Sequence, residues 1–130
     1  MTFTPGAGRI LVMDDEPVVR EVLRDLLVLL GYEVDAVNEG KKALDRYRAA
    51  IEEGQPYDVV ILDLTVPDGM GGRETLAQLL SFDPQVKTIA ISGHSDVPNV
   101  AEYAELGFSA TAFKPFDMQA LSETLATLTR

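Results

Sequence analysis

The chain has 130 residues, 46% of them apolar, which suits one domain of ordinary size with a single core. A formal net charge of −10, with no basic cluster longer than Lys41-Lys42, argues against direct nucleic-acid binding, and the absence of cysteine removes disulfides and thiolate metal sites and fits a cytoplasmic protein. No apolar run approaches the ~18 residues of a membrane span, and Met1–Gly8 lacks the charge and apolar segment of a signal peptide, so no membrane insertion is expected.

In chain order, residues 1–8 contain Pro5, Gly6 and Gly8 and little to bury, and read as a flexible tail or linker stub before a domain over 9–130. Arg9-Ile10-Leu11-Val12-Met13 reads as a strand that ends in Asp14-Asp15-Glu16. Glu16-Pro17 opens a helix, since proline is tolerated in the first turn and acids suit the helix dipole there. Val18, Val19, Val22, Leu23, Leu26, Leu27 and Leu30 recur at helical spacing up to Gly31, and the spacing predicts that this stripe packs on the core. Tyr32–Val37 is a second strand and Asn38–Gly40 a turn. Lys42–Glu53 is a helix with Ala43, Leu44, Tyr47, Ala50 and Ile51 inward, ended by Gly54-Gln55-Pro56.

Val59-Val60-Ile61-Leu62 is an apolar run of the kind buried on both faces of a parallel sheet, and it ends in Asp63. Gly69, Gly71 and Gly72 read as a flexible loop before a helix over Arg73–Ser81, which Asp83-Pro84 ends. Val86–Ile91 is a fourth strand leading to Ser92-Gly93-His94. Pro98–Leu106 is a short helix, Ser109–Phe113 a fifth strand ending in Lys114-Pro115, and Asp117–Thr129 a last helix with Met118, Leu121, Leu125 and Leu128 inward. Five strands alternating with five helices predict an α/β fold, a parallel sheet with helices on both faces.

In such a sheet the carboxyl ends of the strands form the ligand crevice. An aspartate ending a strand can simply cap a turn, but here Asp14-Asp15, Asp63, Ser92 and Lys114 all fall at strand ends. Unit charges about 4 Å apart repel by roughly 1 kcal/mol in water and about 4 at an effective dielectric of about 20. Carboxylates gathered from neighbouring strands therefore need a cation or bound protons to relieve them. An oxygen-only donor set, with a single histidine elsewhere in the chain, points to Mg²⁺ or a similar hard ion.

From about Arg9 to Thr129 the chain resembles the receiver domain of two-component signalling. The resemblance is carried by Asp14-Asp15, by Asp63 with Pro67 four residues on and Gly71 eight on, by Ser92, and by Lys114-Pro115. Asp63-Leu64-Thr65-Val66-Pro67 and Ser92-Gly93-His94-Ser95-Asp96 also resemble receivers at the C-terminus of hybrid sensor histidine kinases. The family implies a flavodoxin-like (βα)5 sandwich with strand order 2-1-3-4-5. It implies Asp63 as phosphoacceptor, with a sensor histidine kinase or histidine phosphotransfer domain as donor. Asp15, Asp63 and the backbone carbonyl of Thr65 would bind Mg²⁺ (Mn²⁺ is an alternative), and Asp14 would reach it mainly through water. Ser92 would donate its hydroxyl to a phosphoryl oxygen, and Lys114 would offset charge, aimed by a cis peptide before Pro115. Such a domain promotes its own phosphorylation without being a turnover enzyme.

His94 is expected to be a loop residue near the pocket mouth rather than a ligand. With Thr65 it is a candidate for setting the lifetime of the phosphate. Many receivers carry Tyr or Phe where this chain has Thr111, so signalling through an aromatic switch on the last strand is not expected, and a relay or phosphate-sink role would not need it. Two other classes are weighed. A phosphorylation-independent receiver-like module would usually lose the acceptor, the lysine or the acid pair, and all are present. A haloacid-dehalogenase-like phosphatase would want an acid two residues after the nucleophile, where this chain has Thr65.

Overall fold

The computed structural model describes residues 8–64, 70–92, 100–113 and 116–129. Short runs of branched apolar residues form the strands, and the amphipathic stretches between them form helices. The order is β1 (Arg9–Met13), α1 (Pro17–Leu29), β2 (Glu33–Val37), α2 (Gly40–Glu52), β3 (Val59–Asp63), α3 (Gly72–Phe82), β4 (Thr88–Ser92), α4 (Val100–Leu106), β5 (Ala110–Phe113) and α5 (Met118–Leu128). All pairings are parallel and the strand order is β2-β1-β3-β4-β5, the flavodoxin-like arrangement expected.

Alternate strand residues divide the core into two layers, as the pleat requires. Leu11, Met13, Val60, Leu62 and Ala90 pack with Leu44 and Tyr47 of α2, Leu76 and Leu79 of α3, and Tyr103 of α4. Ile10, Val12, Val59, Ile61, Ile89 and Ile91 pack on the other face with Leu23 and Leu27 of α1 and Leu121 and Leu125 of α5. Element ends differ from the sequence reading by one or two residues, chiefly at α2 and β4. Pro17 opens α1, Gly31 ends it with φ +103°, and Asp83, held extended before Pro84, stops α3.

The inward stripe is narrower than its spacing implied. Val18 and Val22 are 69% and 44% exposed, while Leu23 and Leu27 are fully buried. At about 100° per residue, Val18 falls on the far side of α1 from both leucines. Ile51 is also exposed, because it lies in the last turn of α2, where the chain leaves the helix and reverses at Gly54.

The amino ends of the strands are tied by a polar cluster. The Arg9 guanidinium lies 3.2 Å from Asp35 and 3.4 Å from Glu33, stacks 4.6 Å from the centre of the Tyr57 ring, and donates to the Gln55 carbonyl. The Tyr57 hydroxyl donates to Asp35 at 2.5 Å. Burial first, and this hydrogen bond second, push the Tyr57 phenol from 10.0 up to about 12. The folded state thus keeps the proton longer than the unfolded chain. Its contribution is complete below pH 10.0 and is lost as pH rises to about 12. Tyr57→Phe is expected to lower stability by about 1 kcal/mol at neutral pH and to reduce the further loss across that alkaline interval. Urea unfolding of both proteins over the range measures both effects.

Candidate functional site

The site starts from the register of the two central strands. Met13 of β1 pairs with Leu62 of β3, so the next residues, Asp14 and Asp63, leave adjacent parallel strands at the same edge. Both are buried, at 0% and 1% exposure. β3 is flanked on both sides, by β1 and β4, and Leu64 continues the ladder by donating to the Ile91 carbonyl at 3.3 Å. Asp63 therefore sits on a fully paired strand, the most rigid kind of support a sheet offers.

Three carboxylates gather at the end of β1. One oxygen each from Asp14, Asp15 and Glu16 lie within 4.8 Å of one another, with Asp14 buried, Asp15 half-buried and Glu16 exposed. The Asp14 carboxylate accepts the Glu16 amide at 2.9 Å, a local turn that holds it in place, and the Asp14 amide donates to the Val37 carbonyl at 3.1 Å. Arg20, one turn into α1, donates to the Asp14 main-chain carbonyl at 2.8 Å. This all-oxygen, multiply charged set suits a hard divalent cation. The sequence reading named Asp14 and Asp15 as ligands, placed Glu16 in the acidic run and at the opening of the helix but not among the ligands, and gave no role to Arg20, whose link to Asp14 spans a loop and a helical turn.

The start of α3 packs against the end of β3. A Cβ on Gly72 would collide with the Asp63 main-chain carbonyl, and one on Gly40 with the Thr75 hydroxyl and the Met70 carbonyl. Gly40 also donates to that Met70 carbonyl at 3.0 Å, joining the starts of α2 and α3. Gly72 is helical and serves close approach, not the flexible loop expected for it, while Gly71 is the extended residue just before α3, with φ −81°. Thr75 is buried beneath them, its hydroxyl donating to the Gly71 carbonyl at 2.7 Å.

Residues 10–126 match the family model described as the response regulator receiver domain. The chain belongs to the response regulator receiver family. This receiver is 32% identical over 119 residues to the chemotaxis protein CheY of Thermotoga maritima, covering 90% of this chain and 93% of that one. It is 32% identical over 115 residues to the regulatory protein AtoC of Escherichia coli, covering 88% of this chain but only 24% of AtoC. A crystal structure of a response regulator receiver domain protein from Clostridium thermocellum superposes with a TM-score of 0.81 at 28% identity, covering 94% of each chain. Receiver domains are signalling modules of two-component regulation, and this one has no described helix long and apolar enough to cross a membrane.

Other expected site residues of the receiver are placed only in part. Ser92 ends β4, its backbone in register with Phe113 of β5. Thr65, Pro67, Gly69, His94, Lys114 and Pro115 lie outside the described residues, as do residues 1–7 and Pro98. Thr111 is half-buried on β5, opposite Ala90, and lines a cavity of about 160 Å³ together with Phe113 and Phe116. Phe113 shares its strand parity but is exposed.

Because Gly72 touches the backbone of Asp63, Gly72→Ala must displace one of the two. Stability is expected to fall by about 1–3 kcal/mol, with the amide signals of Asp63 and Leu64 shifted in a heteronuclear NMR spectrum. An unchanged spectrum would mean that α3 gives way instead.

Proposed function

We propose that this receiver accepts a phosphoryl group on Asp63 from the phosphohistidine of a sensor histidine kinase or histidine phosphotransfer domain, with Mg²⁺ or Mn²⁺, and so relays or regulates a two-component signal in the cytoplasm. The observation behind this reading is a buried aspartate at the end of a central strand, beside the acidic cluster of the neighbouring strand, in a chain of the receiver family. Asp14, Asp15, Asp63 and the Thr65 carbonyl would hold the ion, with Glu16 at the rim. When bound, the ion offsets the charge of the incoming phosphoryl oxygens and draws density from phosphorus.

The remaining work falls to the chain. A carboxylate is a poor nucleophile toward an anionic phosphoryl group, because the two repel. In transfer, an Asp63 oxygen bonds to phosphorus as the bond from phosphorus to the histidine nitrogen breaks, and the imidazole keeps that electron pair. Lys114 would bind a phosphoryl oxygen and Ser92 would donate its hydroxyl to another, so that stabilisation grows with the transferred charge. Burial of Asp63 keeps these interactions in a low-dielectric surrounding, where they are stronger than in water. Val18 and Val22, exposed on α1 just after the acid cluster, give a donor helix an apolar foothold beside the pocket. Thr111 leaves the last strand without the usual switch aromatic, which favours relay or storage of phosphate over a large β5 rearrangement.

Incubation with acetyl phosphate and Mg²⁺ is expected to add one phosphoryl group by intact mass, with no addition in Asp63→Asn or with the metal chelated. Failure of both acetyl phosphate labelling and beryllofluoride complex formation would overturn the assignment, and catalytic release of phosphate from small esters would favour the phosphatase alternative. Asp15→Asn is expected to weaken Mg²⁺ binding by at least about tenfold, read by titration calorimetry on the unphosphorylated protein.

A further inference from the structure

An open cleft of about 530 Å³ lies along β2, between the first turn of α1 and the first three turns of α2. Arg20 reaches it from α1, Lys42 and Arg46 from α2, and Asp45 is the one acid on its wall. Three of the chain's 11 lysines and arginines thus meet at one place in a protein of net charge −10. Among the described residues the ion pairs are Arg9 with Glu33 and Asp35, and Arg73 with Glu102, so none of the cleft cations is neutralised in this way. Arg20 spends one hydrogen bond, at 2.8 Å, on the uncharged Asp14 carbonyl. Ala36, Val37 and Ala49 give the cleft an apolar wall. β2 is an edge strand, paired only with β1 among the described residues, and although the Val34 carbonyl accepts from Arg24 at 3.4 Å, its outer main-chain edge is open beside Ala36.

We propose that this cleft binds a nucleotide. Two guanidinium forks and an ammonium suit a phosphate, which accepts paired hydrogen bonds from arginine. The volume falls within the roughly 300–1,000 Å³ of small-molecule sites. The apolar wall suits the face of a base, and an open strand edge offers the in-plane donors and acceptors that a base edge requires. Asp45 is placed to accept from a sugar hydroxyl. The same long cations flank the strand edge and obstruct its pairing with another strand, which favours a compact ligand over a peptide.

The test is calorimetric titration of the whole chain with ATP, GTP, AMP, cyclic di-GMP and inorganic phosphate. Metal is chelated, so the acidic pocket cannot recruit phosphates through a bound ion. At least one nucleotide is expected to bind at one per chain with a Kd below about 1 mM. The exposed pair Lys42→Glu/Arg46→Glu is expected to weaken it by at least about tenfold, and the charge-matched control Lys41→Glu/Arg48→Glu, on the same helix outside the cleft, to leave it within about twofold. No nucleotide binding, equal losses in both double variants, or phosphate binding as tightly as every nucleotide would each overturn the proposal.

Discussion

Parallel pairing of β1 with β3 puts Asp14 and Asp63 at one edge of the sheet, and much of the remaining architecture serves that juxtaposition. Buried carboxylates are expensive unless polar groups or a cation meet them, so such a pair is stable only where the backbone holds them in a set geometry. The strands supply that geometry because both faces are covered, α1 and α5 on one side and α2, α3 and α4 on the other. A sheet with one solvated face would let water relax the acids apart. The apolar core therefore acts on the site as well as on stability, by fixing the positions from which charge is presented.

Close backbone packing extends the same control to the helices. Gly72 sets α3 against the carbonyl of Asp63, and Gly40 sets α2 against Met70 and Thr75 at the start of α3. The starts of two helices and the end of β3 thus form one packed unit, with Thr75 buried at its centre. Arg20 does something similar from α1, through the main chain of Asp14 and not its carboxylate.

How much of this was readable from sequence depends on range. Strand identity was legible because runs such as Val59–Leu62 have few alternatives, and the acids were legible because they interrupt those runs at their ends. Strand order came from family resemblance, since alternation alone does not choose among doubly wound orders. Gly40 and Gly72 were misread because a glycine needed for space looks the same in sequence as one needed for a turn, and only the tertiary neighbour decides. Val18 and Val22 were placed inward because helical periodicity reports an apolar arc, not how much of that arc the sheet covers. Arg20 carried no local signal: a cation one turn into a helix is unremarkable until the carbonyl it reaches is known.

The polar cluster of Arg9, Asp35 and Tyr57 lies at the amino ends of the strands, away from the edge where Asp14 and Asp63 emerge. Free-energy changes at sites that share no partners usually add. The fold can thus gain or lose robustness at one end while the chemistry at the other stays as it was. Drift in amino-end residues would then be filtered by persistence of the fold, and drift at the carboxyl ends by the geometry of the Asp14 and Asp63 pair. One sheet of this size can answer to two separate selective pressures because its strands all run the same way.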